Sequence, residues 1–157
     1  MRTTTPNAGS VRLPYARSFR ELVVYQKQRQ LAREVFCVSI KFPPEEKFSL
    51  TDQLRRASRS IGAQIAEAWA KRAYEKHFVA KLSDADAEQM ETQHWLDTAK
   101  DDGYLPPDDC HRLLSLCEEI GRMLGSMIEN SASFCTSEIL HEESLEYFIP
   151  GTNAPAD

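Results

Sequence analysis

Apolar positions recur along this chain at steps of three and four residues, the spacing that gathers them on one face of an α-helix. The rhythm is plainest between Leu50 and Trp69, where Leu50, Leu54, Ala57, Ile61, Ile65 and Ala68 form one stripe. Leu113, Cys117, Ile120, Leu124 and Met127 form another and predict a helix from about Asp108 to Asn130. Upstream, Val24, Leu31, Val35, Val38 and Phe42 mark a helix that opens at Ser18 as N-cap and runs to about Lys41. Pro43 and Pro44 end it, because proline disfavours helix in the residue before it. A further helix is predicted from about Ala73 to Asp102, with Phe78, Leu82, Ala85, Leu96 and Ala99 facing inward and Gly103 as its C-cap. Gln89 and Thr92 interrupt that stripe, so its middle either hydrogen-bonds inside the core or meets a neighbouring subunit.

No run alternates β-branched with polar residues, and no Asn-Gly or Asp-Gly pair announces a hairpin. Connections are short, which makes successive helices antiparallel neighbours. The expected fold is all-α, an antiparallel up-down-up-down four-helix bundle over residues 18–130. Residues 1–17 read as a flexible basic arm. Residues 131–157 read as an acidic tail, partly disordered, with a short helix from Ser137 to Phe148.

Composition adds little beyond one globular domain, but charge changes the picture. The net charge of -5 comes entirely from the tail, where five acids follow Asn130 and no Lys or Arg does. From Gln53 to Leu82 the sum is +5, and from Ser83 to Asp109 it is -8. Bundle topology turns this segregation into geometry. Arg2, Arg12, Arg17, Arg20, Lys71, Arg72 and Lys76 fall at one end, and Glu45, Glu46, Asp101, Asp102, Asp108 and Asp109 at the other. The basic end is a candidate phosphate-binding surface that the acidic tail can cover as a competing polyanion. The alternative is a set of solvated helix ends. Arg55, Arg56 and Arg59 lie off the stripe, placed either to grip phosphates or to form ion pairs within or between subunits.

Other chemistry is sparse. Glu91-Thr-Gln-His94 and Glu138-Ile-Leu-His141 have the spacing of di-iron bundle ligands, but the second lies outside the bundle and His94 stands off the inward face. His77 and His111 have no Ser or Cys nucleophile on a matched face, and no phosphate loop or nucleophile elbow is present. The four cysteines fit neither a disulfide framework nor a zinc knuckle and read as reduced thiols. Trp69 and Trp95 suit base stacking, a core edge or a subunit interface. The spacing Gly121-x-x-x-Gly125 permits close helix approach. No segment reads as a signal peptide or a membrane span, so the cytoplasm is the expected location, with no membrane partner. The expectation is a non-enzymatic module without cofactors.

Several blocks carry a family resemblance. Phe19-Arg-Glu-Leu-Val-Val-Tyr25, Leu50-Thr-Asp-Gln-Leu-Arg-Arg-Ala57, Ile65-Ala-Glu67, Glu91-Thr-Gln93 with Trp95-Leu96, Gly103-Tyr104-Leu105 and Gly121-Arg-Met-Leu-Gly125 resemble the bacterial four-helix-bundle proteins encoded by intervening sequences in large-subunit ribosomal RNA genes. The accessory protein of diversity-generating retroelements is similar. The resemblance implies an antiparallel bundle that assembles as a ring, commonly a pentamer, with no known catalytic activity. In the retroelement branch it implies binding of nucleic acid and of a reverse transcriptase. Two departures stand out. Gly62 occupies a position where the family pattern has proline, which should remove a kink, and the net charge here is acidic rather than strongly basic. RNA or DNA and a protein partner are therefore both open as partner classes, beside the chain's own copies.

Overall fold

The structure is a computed structural model that describes residues 16–135. Arg2, Arg12, the tail beyond Cys135 and the expected short helix within it lie outside the described residues. Four α-helices follow one another: α1 (Val23–Ser39), α2 (Leu50–Ala70), α3 (Glu75–Asp101) and α4 (Pro107–Glu129). Short 3-10 turns lie at Phe19–Glu21, Pro44–Glu46 and Ser131–Ser133, and no strand occurs among the described residues. Each helix packs on the next, and α4 closes the bundle against α1.

Side-chain pairs give the direction of each helix. Gln28 of α1 reaches Ser58 of α2, while Ser39 further along α1 meets Arg55 earlier on α2. On the facing pair, Gln89 of α3 lies over Gly121 of α4, and Leu96 meets Cys110. Lys27 and Glu34 of α1 pair with Glu119 and Arg112 of α4. Partner numbers fall on one helix as they rise on the other, so these neighbours run antiparallel.

The sequence explains the boundaries. Ser18 caps only the Phe19–Glu21 turn, its hydroxyl accepting from Arg20 N at 3.3 Å. Leu22 is extended and buried, and α1 therefore begins at Val23 rather than at Ser18. At the start of α2, Glu46 takes over the capping role. Its carboxylate accepts from Ser49 Oγ and from Leu50 N, which together hold it below the usual carboxylate range despite partial desolvation. Gly103 adopts φ 78°, and the amides of Gly103 and Tyr104 return to Lys100 O and Ala99 O, a full Schellman stop for α3. Beyond α4 the chain stays packed, with Ser131 buried and Phe134 stacked 5.8 Å from Phe78.

The core contains the expected stripes. Leu54, Ile61, Ile65, Leu82, Leu96, Leu113, Ile120 and Leu124 are fully enclosed. Gln89 and Thr92 are buried and hydrogen-bonded within the protomer. Thr92 Oγ1 donates to Glu88 O at 2.8 Å, and Gln89 accepts from Gln93 at 2.7 Å while donating to Asp86 at 3.1 Å.

Two glutamines explain two glycines. A Cβ on Gly62 would lie 2.2 Å from Gln28 Oε1, and a Cβ on Gly121 would lie 3.0 Å from Gln89 Nε2. Each glycine lets a buried amide lie across the neighbouring helix, one in each helical hairpin. Helix α2 is continuous through Gly62. Gly125, by contrast, has nothing within 4 Å of a Cβ, so only the first glycine of the Gly121-x-x-x-Gly125 pair serves close approach.

Truncating Leu54 or Leu113 to alanine should lower unfolding stability by about 2–5 kcal/mol in denaturant titration. The glycines should separate in the same assay. Gly125→Ala gains about 0.5–1 kcal/mol of helix propensity. Gly62→Ala is expected to be a net loss, because displacing Gln28 breaks a buried hydrogen bond with a penalty of about 1–3 kcal/mol.

Candidate nucleic-acid interface

Helix α2 ends where α3 begins, and this corner concentrates exposed positive charge. Lys71 closes α2, its amide returning to Glu67 O and Ala68 O at 3.0 Å. Arg72 folds back, donating from Nη1 to Trp69 O at 2.8 Å with its guanidinium 4.3 Å over the Trp69 ring. That stacking orients the arginine without neutralising it. Lys76 and His77, on the first turn of α3, share a shallow pocket of about 210 Å³ with Lys71 and Lys81. The 3-10 turn Phe19–Glu21 packs against α2 and brings Arg17 and Arg20 to the same end. Arg20 lies 4.4 Å over Phe19, and the backbone N–H of Arg17 donates to Glu21 at 2.8 Å.

Not every lysine here is available. Lys81 reaches Glu67 at 2.7 Å and Gln64 at 3.2 Å, tying α3 to α2. The shared hydrogen bond raises the Lys81 pKa and lowers that of Glu67. Lys71 and Lys76 form no ion pair among the described residues. At the opposite end, Tyr104 donates to Glu46 at 3.4 Å and packs 6.2 Å from Phe42, joining the two connections that carry Glu45, Glu46, Asp101 and Asp102. Asp108 and Asp109 open α4 there. The two ends of the bundle therefore differ in sign.

The arginines of α2 are not brought together. Arg55 is committed to α1, with Nε donating to Ser39 Oγ at 2.7 Å and the guanidinium 4.8 Å over Phe36. Arg56 pairs loosely with Asp52 at 3.7 Å. Arg59 is exposed beside a cavity that it shares with Arg29 of α1. Arg29 escaped the sequence reading because nothing local marks it. Its position one residue after buried Gln28 was the only available signal.

The sequence model of the 23S rRNA-intervening sequence protein family matches residues 20–126. The chain belongs to that family. A solved structure similar to this family member is a protein of unknown function from the S23 ribosomal protein family of Bacteroides thetaiotaomicron. It shares 29% sequence identity with a TM-score of 0.62, covering 68% of this chain and 96% of its own. No functionally curated protein matches the chain.

Other candidate chemistry of this family member is dispersed. His94 is exposed with its ring 4.7 Å from Trp95, whose Nε1 donates to Glu91 at 3.0 Å. Glu138 and His141 lie outside the described residues. Among the described residues no cluster of three or more His, Cys, Asp or Glu is placed to hold a metal, and no helix is long and apolar enough to cross a membrane. His77 and His111 are exposed. All four cysteines are free thiols. Burial pushes the Cys117 thiol up to about 12, and Cys110 is also raised by burial, whereas Cys37 is exposed.

A thiol-reactive dye at neutral pH should therefore label Cys37 first and spare Cys110 and Cys117 until denaturant unfolds the bundle. Peptide mapping of the labelled protein reads this directly, and early labelling of Cys117 would contradict the packing of α4.

Proposed function

We propose that this family member is a non-enzymatic, homo-oligomeric adaptor of the cytoplasm that holds nucleic acid, RNA or DNA, at its basic end. The observation that carries this reading is the unpaired positive charge of Lys71 and Lys76, beside Arg72, Arg17 and Arg20, at one end of a bundle whose other end is acidic. Phosphates are attracted to such a cluster and released counterions drive the association. The acidic end repels the same polyanion and so orients it. Trp69, half-buried beneath Arg72, and Phe19, beneath Arg20, hold these guanidiniums at the surface.

Assembly into a ring, which the family resemblance suggests as a pentamer, would repeat the basic end around an axis. An apolar groove of about 480 Å³ between the start of α1 and the end of α4 supports a contact with another polypeptide. Leu22, Val23, Met123, Met127 and Phe134 line it, and Val23 is 58% exposed. The same groove favours the second reading, a protein-partner scaffold with no nucleic-acid binding.

The two readings separate by titration of labelled single-stranded RNA and double-stranded DNA at two salt concentrations. The adaptor reading expects affinity that falls steeply with salt. Lys71→Glu with Lys76→Glu, both exposed positions, should weaken binding and reduce the slope of log affinity against log salt by roughly 2. Removing residues 136–157 should tighten binding by taking away a competing polyanion. No binding at low salt, with or without those residues, would leave the scaffold reading.

A further inference from the structure

A second feature lies on the side of the bundle rather than at its end. Between the Phe19–Glu21 turn, α1 and α2 is a cavity of about 220 Å³. Phe19 and Tyr25 wall it, edge to face with ring centroids 4.9 Å apart. Its floor consists of small residues: Ala32 of α1 with Gly62, Ala63 and Ala66 of α2. Arg29 and Arg59 stand exposed at the rim, and neither forms an ion pair among the described residues.

Gln28 gives this cavity its chemistry. Its side chain lines the wall and is only 2% exposed. Nε2 donates to Ser58 O at 2.8 Å, which fixes the amide's orientation because a carbonyl can only accept. Oε1 is buried against Gly62 and has no hydrogen-bond donor. A buried acceptor in this state favours any ligand that brings an N–H to it. Gly62 lines the same cavity, so a donor arriving along that glycine meets the Oε1 edge of the amide while Nε2 keeps its bond to Ser58.

We propose that this cavity is a binding site for a nucleoside monophosphate with an amino-bearing base, either free or as one residue of a single strand. The volume lies below the roughly 300–1,000 Å³ of a drug-sized pocket and suits one planar ring, with sugar and phosphate left at the rim. A floor of alanine and glycine lets a flat ring approach the backbone closely, while Phe19 and Tyr25 supply aromatic contact. The amino group donates to Gln28 Oε1. Arg29 of α1 and Arg59 of α2 line the same cavity and offer the phosphate the forked donors that suit it. This site goes beyond the basic end and stands without it: the end attracts any polyanion, whereas the cavity reads a ring.

The test titrates the full-length protein calorimetrically with adenosine, guanosine and cytidine 5′-monophosphates. Comparison ligands are the amino-lacking purine riboside, inosine and uridine monophosphates, together with inorganic phosphate. At least one amino-bearing nucleotide should bind about tenfold more tightly than its amino-lacking counterpart and than phosphate. Ala63→Leu, at an exposed position where leucine keeps helix propensity, fills the cavity and should weaken that nucleotide about tenfold with the melting temperature unchanged. A 5′-phosphorylated hexanucleotide of the preferred base that competes more strongly than the mononucleotide identifies a strand as the source. Weaker or equal competition identifies the free nucleotide. Nucleotides that bind no better than phosphate, or that ignore Ala63→Leu, overturn the site. Salt-sensitive strand binding that survives Ala63→Leu in that case leaves the basic end standing and removes the cavity alone.

Discussion

Helix α2 must bury its stripe from Leu50 to Ala68 against α1 on one side and α3 on the other, and this double burial sets where every polar group near it can stand. Leu54, Ile61, Ile65 and Ala68 have no solvent exposure, and each large side chain removed from water contributes about 1.5–3 kcal/mol. Only two flanks and one outward ridge remain for hydrophilic residues. Arg55 takes the flank toward α1, Arg56 pairs along the helix with Asp52, and Arg59 opens onto the cavity beside Arg29. Three arginines within five positions of one another thus serve three different neighbourhoods.

The same packing brings two amides into the interior at matching places. Gln28 crosses Gly62 in the first hairpin and Gln89 crosses Gly121 in the second, and in each case the missing Cβ is what makes room. Their hydrogen bonding differs. Gln89 is joined on both its donor and acceptor sides, to Asp86 and Gln93. Gln28 is joined only through its donor, to Ser58. That asymmetry distinguishes a structural amide from one with capacity left over.

Charge follows topology. The two connections at one end bring Glu45, Glu46, Asp101 and Asp102 together, where Tyr104 and Phe42 join them. The α2–α3 corner and the Phe19–Glu21 turn place Lys71, Arg72, Lys76, Arg17 and Arg20 at the other. The match to the 23S rRNA-intervening sequence protein family, residues 20–126, takes in nearly the whole bundle, and the structural relative from Bacteroides thetaiotaomicron is a protein of unknown function. That relative is covered at 96%, and about a third of this chain lies outside the structural match.

The sequence by itself determined the four helices, their inward stripes, the Gly103 stop and the segregation of charge along the chain. These depend on local spacing and local backbone chemistry, which a single helix already expresses. It misplaced the start of α1, because Ser18 caps a 3-10 turn and the extended backbone of Leu22 separates that turn from Val23. It attributed close approach to both Gly121 and Gly125, although only Gly121 meets a neighbour. The tertiary structure alone decided that Gln28 lies over Gly62, that Arg55 belongs to Ser39 and Phe36, and that Arg29 stands with Arg59. Each of those pairings joins residues of two helices, and helix rotation and register are set by how two ridged surfaces interlock. Periodicity says which face is buried; it carries no information about which residue across the interface each buried group will meet.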